Sequence, residues 1–355
     1  MSQDVLPRLT ALTTAVPPHA LDQGAVRERA RRLFQRHDAG LDRLLPVFDN
    51  AGIARRYSAM PLEWYGRETG WRERNALYQI HALDLLEQVA RQCLSEAGIE
   101  AGAVDALVTV STTGIATPSL DAQLMERLPF RRDAVRLPVF GLGCCGGVLG
   151  LGRAAEMARA RTGRRVLLLV VELCALTFRP RDLSKSNVVA TALFGDGAAA
   201  ALISSVPGDR GPVLRAEGEY TWPDSLGVMG WQVEDDGLGV LFSSNIPNLV
   251  REDYAPVMTR FLEREGMTRL DLAATACHPG GAKVIAALED VLDVPEGGMT
   301  AARRILRDYG NMSAPTVLFV LRDVLAERPR GPILASALGP GFTTGFAVLE
   351  PDMAA

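Results

Sequence analysis

Apolar and polar positions along the chain fall into alternating strand and helix patterns. Leu9 to Val16 is a short apolar run that stops at Pro17-Pro18 and predicts a strand, while Gln23 to Arg36 carries apolar residues at helical spacing between arginines. Asn75 to Gly98 predicts a long helix with Cys93 on its core face, and Val104 to Ser111 a strand followed by the loop Thr112 to Pro118. Leu137 to Phe140 reads as a buried strand broken by Gly141 and Gly143, after which Val148, Leu149, Leu151 and Ala155 return at helical spacing. Arg165 to Glu172 is apolar enough for a strand covered on both faces, and Thr191 to Ile203 reads as a tight Gly195-Asp196-Gly197 turn into a strand of small residues.

The second half repeats this outline. A strand at Val213 to Gly218 leads through an irregular Gly-rich excursion, Trp222 to Pro247, to a helix at Val250 to Glu265 and a strand at Leu272 to Ala276. Gly310-Asn311 then opens an apolar helix from Pro315 to Leu325, much as Gly143-Cys144 opens its own, with Asn311 as its cap. Strands Pro332 to Ala337 and Thr344 to Leu349 close the chain around Gly339-Pro340-Gly341. Residues 205–211 are rich in turn formers and predict the boundary between two α/β halves, 1–205 and 206–355.

Composition narrows the class without changing that outline. With 355 residues, 48% of them hydrophobic and 23% charged, the chain is long enough for one large or two fused α/β units. A net charge of −4 with interspersed signs gives no general attraction for nucleic acid. No apolar run approaches the roughly 18 residues of a membrane span and no signal layout opens the chain, so a cytosolic protein is expected. The cysteines, at 93, 144, 145, 174 and 277, are odd in number and lack paired spacing, and histidine occurs only at 19, 37, 81 and 278. A disulfide framework and a zinc site are therefore not expected.

Cys144 stands where strand gives way to helix. Unpaired N–H groups and the positive end of a helix dipole there favour an anion, and can bring a thiol from about 8.5 into the range of roughly 3.5–7.5, making a resting thiolate. Cys145, one step later, reads as packing. A rival reading uses the same glycines: Gly141-x-Gly143-x-x-Gly146 fits a dinucleotide fingerprint with Glu172 as the ribose-binding acid, which would make the protein a nicotinamide dehydrogenase. His278 follows an apolar strand end and could stabilise a thiolate, and Asn311 could donate to a developing oxyanion; each could also be structural. Arg55 and Arg56 could hold nucleotide phosphates, or simply be solvated.

Gly143-Cys144-Cys145-Gly146-Gly147, His278-Pro279-Gly280-Gly281, Gly310-Asn311-Met312-Ser313 and Gly339-Pro340-Gly341 stand in the order and spacing of the type III polyketide synthases, and the chain resembles that chalcone/stilbene synthase family over nearly its whole length. Leu193 to Ala198 and Trp222 to Ser225 also look like family segments. The resemblance implies a thiolase-like fold of five layers (αβαβα), a homodimer, Cys144 as the acyl-carrying nucleophile, and His278 and Asn311 as the groups that hold the thioester carbonyl and promote malonyl decarboxylation. It implies acyl-CoA or acyl carrier protein starters, malonyl-CoA extender, and no metal or bound cofactor. Phe194 matches an aromatic gatekeeper, and Gly339, Pro340 and Gly341 a substrate-binding loop. Plant members carry a methionine where Thr117 stands here, and their second gatekeeping phenylalanine falls near Val240 to Phe242. Glu172 to Phe178 looks instead like bacterial alkylresorcinol and alkylpyrone synthases, whose pocket positions match Thr113, Cys174, Thr177 and Ser313 and which load fatty acyl starters. Single-condensation ketoacyl synthases of the same fold are an alternative, although their histidine motif usually runs His-Gln-Ala-Asn.

Overall fold

A computed structural model describes residues 6–35 and 43–352, so Arg36, the expected end of the first helix, lies outside the described residues. The strands are β1 (Arg8–Ala15), β2 (His19–Asp22), β3 (Arg55–Ser58), β4 (Ala106–Val110), β5 (Val135–Val139), β6 (Arg165–Leu173), β7 (Asp196–Ser204), β8 (Val213–Thr221), β9 (Met229–Glu234), β10 (Gly237–Phe242), β11 (Ala274–Cys277), β12 (Ile333–Gly339) and β13 (Thr343–Glu350). Among the described residues, one sheet runs in the order β11-β12-β13-β8-β1-β7-β6-β4-β5. It is two sheets meeting at a seam, because β1 and β8 share one registered pair, Arg8 with Val213. On the N-terminal side β4 lies parallel to β5 and β6, then β6, β7 and β1 alternate in direction. The other side repeats the pattern: β11 is parallel to β12, and β12, β13 and β8 alternate.

Two helices, Gly146–Arg159 and Thr316–Ala326, lie between these sheets. Their Val148, Leu151, Val317 and Leu321 share one core with Val166, Leu168 and Val170 of β6 and with Ile333, Ala335 and Ala347 of the C-terminal sheet. The other face of β6, Leu167, Leu169 and Val171, packs under Leu86 and Val89 of the helix Trp71–Glu96. That double cover is why β6 reads as an unbroken apolar run. Each such side chain contributes about 1.5–3 kcal/mol when fully buried, so a charge at Leu168 would break the central layer. On the far side Phe261, in the helix Ala255–Arg264, stacks on Phe346 of β13 with ring centroids 4.9 Å apart. The layering is helix, sheet, helix pair, sheet, helix, as expected.

Three local expectations fail. The Leu137–Phe140 run is not buried: β5 is the outermost strand of the sheet, with Val135 46% and Phe140 59% exposed. The excursion from Trp222 to Pro247 contains a regular hairpin, β9 against β10, which its glycines hid. Asn311 does not cap the following helix, whose first residue is Thr316 and whose cap position is Pro315.

Candidate active site

Gly143–Cys145 forms one tight 3-10 turn that runs directly into the helix Gly146–Arg159. Gly143 has φ +50°, and a Cβ there would lie 2.6 Å from the Pro340 ring, so the turn and the Gly339-Pro340-Gly341 loop touch only because residue 143 has no side chain. The two cysteines diverge from this turn. Cys145 donates to the carbonyls of Ala337 (3.0 Å) and Thr343 (3.1 Å), which ties it to the C-terminal sheet. The Cys144 Sγ faces a cavity and donates weakly to the Ser313 hydroxyl at 3.5 Å. Burial pushes the Cys144 thiol up to about 11; the Ser313 hydroxyl opposes the rise and the nearby Glu172 carboxylate adds to it. Desolvation of the buried sulfur thus works against the resting thiolate expected from the sequence.

His278 follows β11 and donates its backbone N–H to the Ser336 carbonyl at 2.8 Å. Its ring is buried with neither nitrogen partnered, and burial pushes its pKa down to about 3. Asn311 is 1% exposed. Its Oδ1 accepts from the Ser313 N–H at 2.8 Å, and its Nδ2 donates to the Gly280 carbonyl at 3.3 Å, which links it to the loop that carries His278. Its backbone bridges the Phe194 segment through Asn311 N–H to Leu193 O (2.9 Å) and Gly195 N–H to Asn311 O (3.0 Å). Ser313 is held with φ +57°, a left-handed conformation that costs a non-glycine residue on the order of 1–3 kcal/mol and recurs at functional sites.

The Cys144 cavity is lined by Gly143, Phe194, Ser313, Pro340 and the β9–β10 hairpin; His278 and Asn311 stand outside that lining. A second, apolar cavity lies between the helix Gln23–Gln35 and the helix Lys185–Leu193, and Cys174, Thr177 and Phe178 are part of its wall. Phe194 and Val240 line both. The sequence reading thus named residues on each side of this partition, Cys144 with Ser313 and Pro340 on one and Cys174 with Thr177 on the other.

Thr113 lines neither cavity. Its hydroxyl donates to a Glu172 carboxylate oxygen at 2.7 Å and accepts from the Leu173 N–H at 2.9 Å. Glu172 also accepts from the N–H groups of Thr112 (2.9 Å) and Thr113 (3.0 Å), and burial raises its pKa to about 7 in spite of these donors. The Thr112 hydroxyl accepts from the Gly143 N–H at 3.2 Å, so this carboxylate knot buttresses the turn that carries Cys144. No periodicity marks such a role. Arg56 is corrected as well: it is 2% exposed, and its guanidinium donates to the carbonyls of Thr191 (2.7 Å), Ala192 (2.6 Å) and Phe194 (2.9 Å). It closes the end of the helix Lys185–Leu193 and fixes Phe194, and its one unpartnered donor, Nε, is buried where no phosphate reaches, while Arg55 remains exposed. Alternation along β3 turns two adjacent arginines to opposite faces, and the sequence does not say which of them faces inward.

Two family models match nearly end to end: "Chalcone and stilbene synthases, N-terminal domain" over residues 4–207 and the corresponding C-terminal domain over residues 214–349. The chain belongs to the chalcone and stilbene synthase family. It is 38% identical over 353 residues to a "Putative chalcone synthase" of Bacillus subtilis, covering 95% of this chain and 96% of that one. It is also 38% identical to the 1,3,6,8-tetrahydroxynaphthalene synthase of Streptomyces peucetius, covering 96% and 92%. The solved tetrahydroxynaphthalene synthase of Streptomyces coelicolor, a bacterial type III polyketide synthase, superposes with a TM-score of 0.92 at 27% identity, over 98% of this chain and all of that one. As a type III polyketide synthase the protein is an acyltransferase of thiolase-like fold, and the dehydrogenase reading falls. Its geometry agrees: Gly143 faces the Pro340 ring where a pyrophosphate would have to lie, and Glu172 is fully buried in the threonine knot.

Proposed function

We propose that this type III polyketide synthase loads a fatty acyl-CoA on Cys144, extends it with malonyl-CoA and cyclises the product to an alkylresorcinol or alkylpyrone. The observation that carries the starter assignment is the apolar cavity adjoining the Cys144 cavity across Phe194 and Val240. Each methylene buried there contributes about 0.8 kcal/mol, so an alkyl chain has a strong reason to occupy it.

In this reading Cys144 transfers its thiol proton to His278 as Sγ attacks the starter carbonyl, and CoA leaves as the thiol by taking that proton back. Malonyl-CoA then loses CO2; the electron pair of the broken C–C bond becomes the enolate of acetyl-CoA, which attacks the Cys144 thioester and expels the cysteine sulfur. His278 and Asn311 donate to the thioester oxygen as it becomes an enolate oxygen. With neither ring nitrogen partnered within the fold, the imidazole has an N–H free to turn toward that oxygen. Arg55 serves the CoA phosphates, and a carrier protein is the other conceivable source of starter. The chemistry needs no metal or bound cofactor.

Product analysis by mass spectrometry with malonyl-CoA and starters from hexanoyl- to palmitoyl-CoA tests the assignment. Alkylated resorcinols or pyrones are expected, with release of CO2. Inactivity with palmitoyl-CoA together with an aromatic product from malonyl-CoA alone would overturn it and favour the second reading, which the 38% relative named 1,3,6,8-tetrahydroxynaphthalene synthase supports.

The halves 1–205 and 206–355 act as one unit in this scheme, each contributing part of the site. We assign the open edge of β5, with exposed Val135, Phe140 and Ile115 beside it, to a second copy of the chain. Sedimentation should give twice the 38.2 kDa chain mass, and a monomer would refute it. No helix among the described residues is long and apolar enough to cross a membrane, and we place the enzyme in the cytoplasm with its CoA substrates, which cell fractionation would check.

A further inference from the structure

The apolar cavity between the helix Gln23–Gln35 and the helix Lys185–Leu193 has several polar side chains in its wall, and nearly all of them spend their hydrogen bonds inside the fold. The Tyr65 hydroxyl is bonded to Ser58 Oγ at 2.6 Å, and the Thr177 hydroxyl donates to the Cys174 carbonyl at 2.8 Å. Asn187 Nδ2 donates to the carbonyls of Arg179 (2.9 Å) and Asp182 (2.7 Å), and the Thr191 hydroxyl donates to the Asn187 carbonyl at 2.7 Å. Arg56 is spent on three carbonyls, with only its buried Nε left over. Arg29 differs from all of these. Among the described residues its guanidinium meets no carboxylate and makes no hydrogen bond, whereas the other arginines of its helix are paired, Arg27 with Asp49 at 3.6 Å and Arg31 and Arg32 with Glu28, each at 2.9 Å. It lies over the exposed Gly66, where a Cβ would stand 2.8 Å from Nη1, so the missing side chain leaves it room. The cavity thus runs from the Phe194 and Val240 partition, beyond which Cys144 stands, to a free guanidinium at its solvent end.

We propose that Arg29 is a substrate-binding residue for a starter whose far end is a carboxylate, the CoA monoester of an unbranched α,ω-dicarboxylic acid. This rests on the reading that the starter chain fills the apolar cavity. A terminal carboxylate accepts two parallel N–H bonds from the guanidinium fork, whereas a terminal methyl leaves all of its donors to water. The chain itself gains the same burial in either case, so the difference between the two starters reports on Arg29 alone.

The test compares kcat/KM for hexadecanedioyl-CoA with palmitoyl-CoA, and for dodecanedioyl-CoA with dodecanoyl-CoA, read as CoA thiol released and as acyl mass added to the protein. The wild type should favour the acid-ended starter about tenfold at the length that reaches Arg29. Arg29→Met should bring that ratio down to about one, and Arg29→Lys, which keeps the charge and loses the fork, should retain about a third of it. Arg32→Met, exposed on the same helix, should leave the ratio unchanged. If Arg29→Met does not fold, Arg29→Gln reads the same ratio. Equal rates for acid-ended and methyl-ended starters at both lengths, a preference that survives Arg29→Met, or an equal loss in Arg32→Met overturns the proposal, while turnover of palmitoyl-CoA in the same assays keeps the fatty-starter reading standing. A wild type that loads none of the four starters overturns both.

Discussion

In the N-terminal half the parallel strands β4 and β6 are served by a turn, Gly143–Cys145, that runs without a break into the helix Gly146–Arg159. In the C-terminal half the parallel strands β11 and β12 are served by Gly310-Asn311, but the helix begins only at Thr316, and Asn311 spends its amide on Ser313 and Gly280. The scaffold is duplicated and the chemistry is not. Where turn and helix are continuous, the side chain at the junction faces an open cavity, and in the proposed mechanism it attacks. Where four residues intervene, the side chain is tied to its neighbours, and in that mechanism it holds. Burial works against charge on both Cys144 and His278, so the asymmetry lies in access and hydrogen bonding rather than in stored charge.

The largest effect should come from breaking the holding half. Asn311→Ala removes one oxyanion donor and should cut malonyl-CoA decarboxylation by about 10²–10³, read as CO2 release; an unchanged rate would mean that the C-terminal junction is structural only. Next, filling the apolar cavity without touching the junction should separate starter choice from chemistry. Cys174→Phe should lower kcat/KM for palmitoyl-CoA by about tenfold or more and for hexanoyl-CoA little, and an equal loss for both would detach that cavity from starter binding. The smallest effect concerns the knot behind the turn that carries Cys144. Glu172 and Asp196 both titrate near about 7 when folded, above their ordinary 4.5 and 3.8. Both stay protonated in the fold up to about 7, so the stability this lends is full below those ordinary values and is lost as pH rises through 7. The Tm should therefore fall between pH 5 and 8, and Glu172→Gln should flatten that fall by about 2 °C; parallel curves for the two proteins would show that Glu172 is not perturbed.

Much of the fold was legible because its central strands are covered on both faces: β6 and β7 announce themselves as unbroken runs of apolar or small residues. The same rule misled at β5, where an apolar run marks an uncovered edge. The Cys144 junction could be read from Gly143 and the helical spacing after it. Its protonation could not, because desolvation depends on what closes over the sulfur, here Ser313 and the hairpin. Arg56 and Thr113 were misplaced for a related reason: each turns inward to satisfy carbonyls or a carboxylate brought from distant segments, which local spacing does not record.

The central claim is that Cys144, and not its neighbour Cys145, carries the acyl group. Peptide mapping after brief exposure to hexanoyl-CoA tests it most directly, in the wild type and in the Cys144→Ala and Cys145→Ala variants. The two thiols differ in environment, Cys144 opening on the cavity and Cys145 donating to two carbonyls of the opposite sheet. The account predicts an acyl adduct on Cys144 in the wild type and in Cys145→Ala, and none in Cys144→Ala. An adduct on Cys145, or loading and turnover that survive the loss of Cys144, would contradict it.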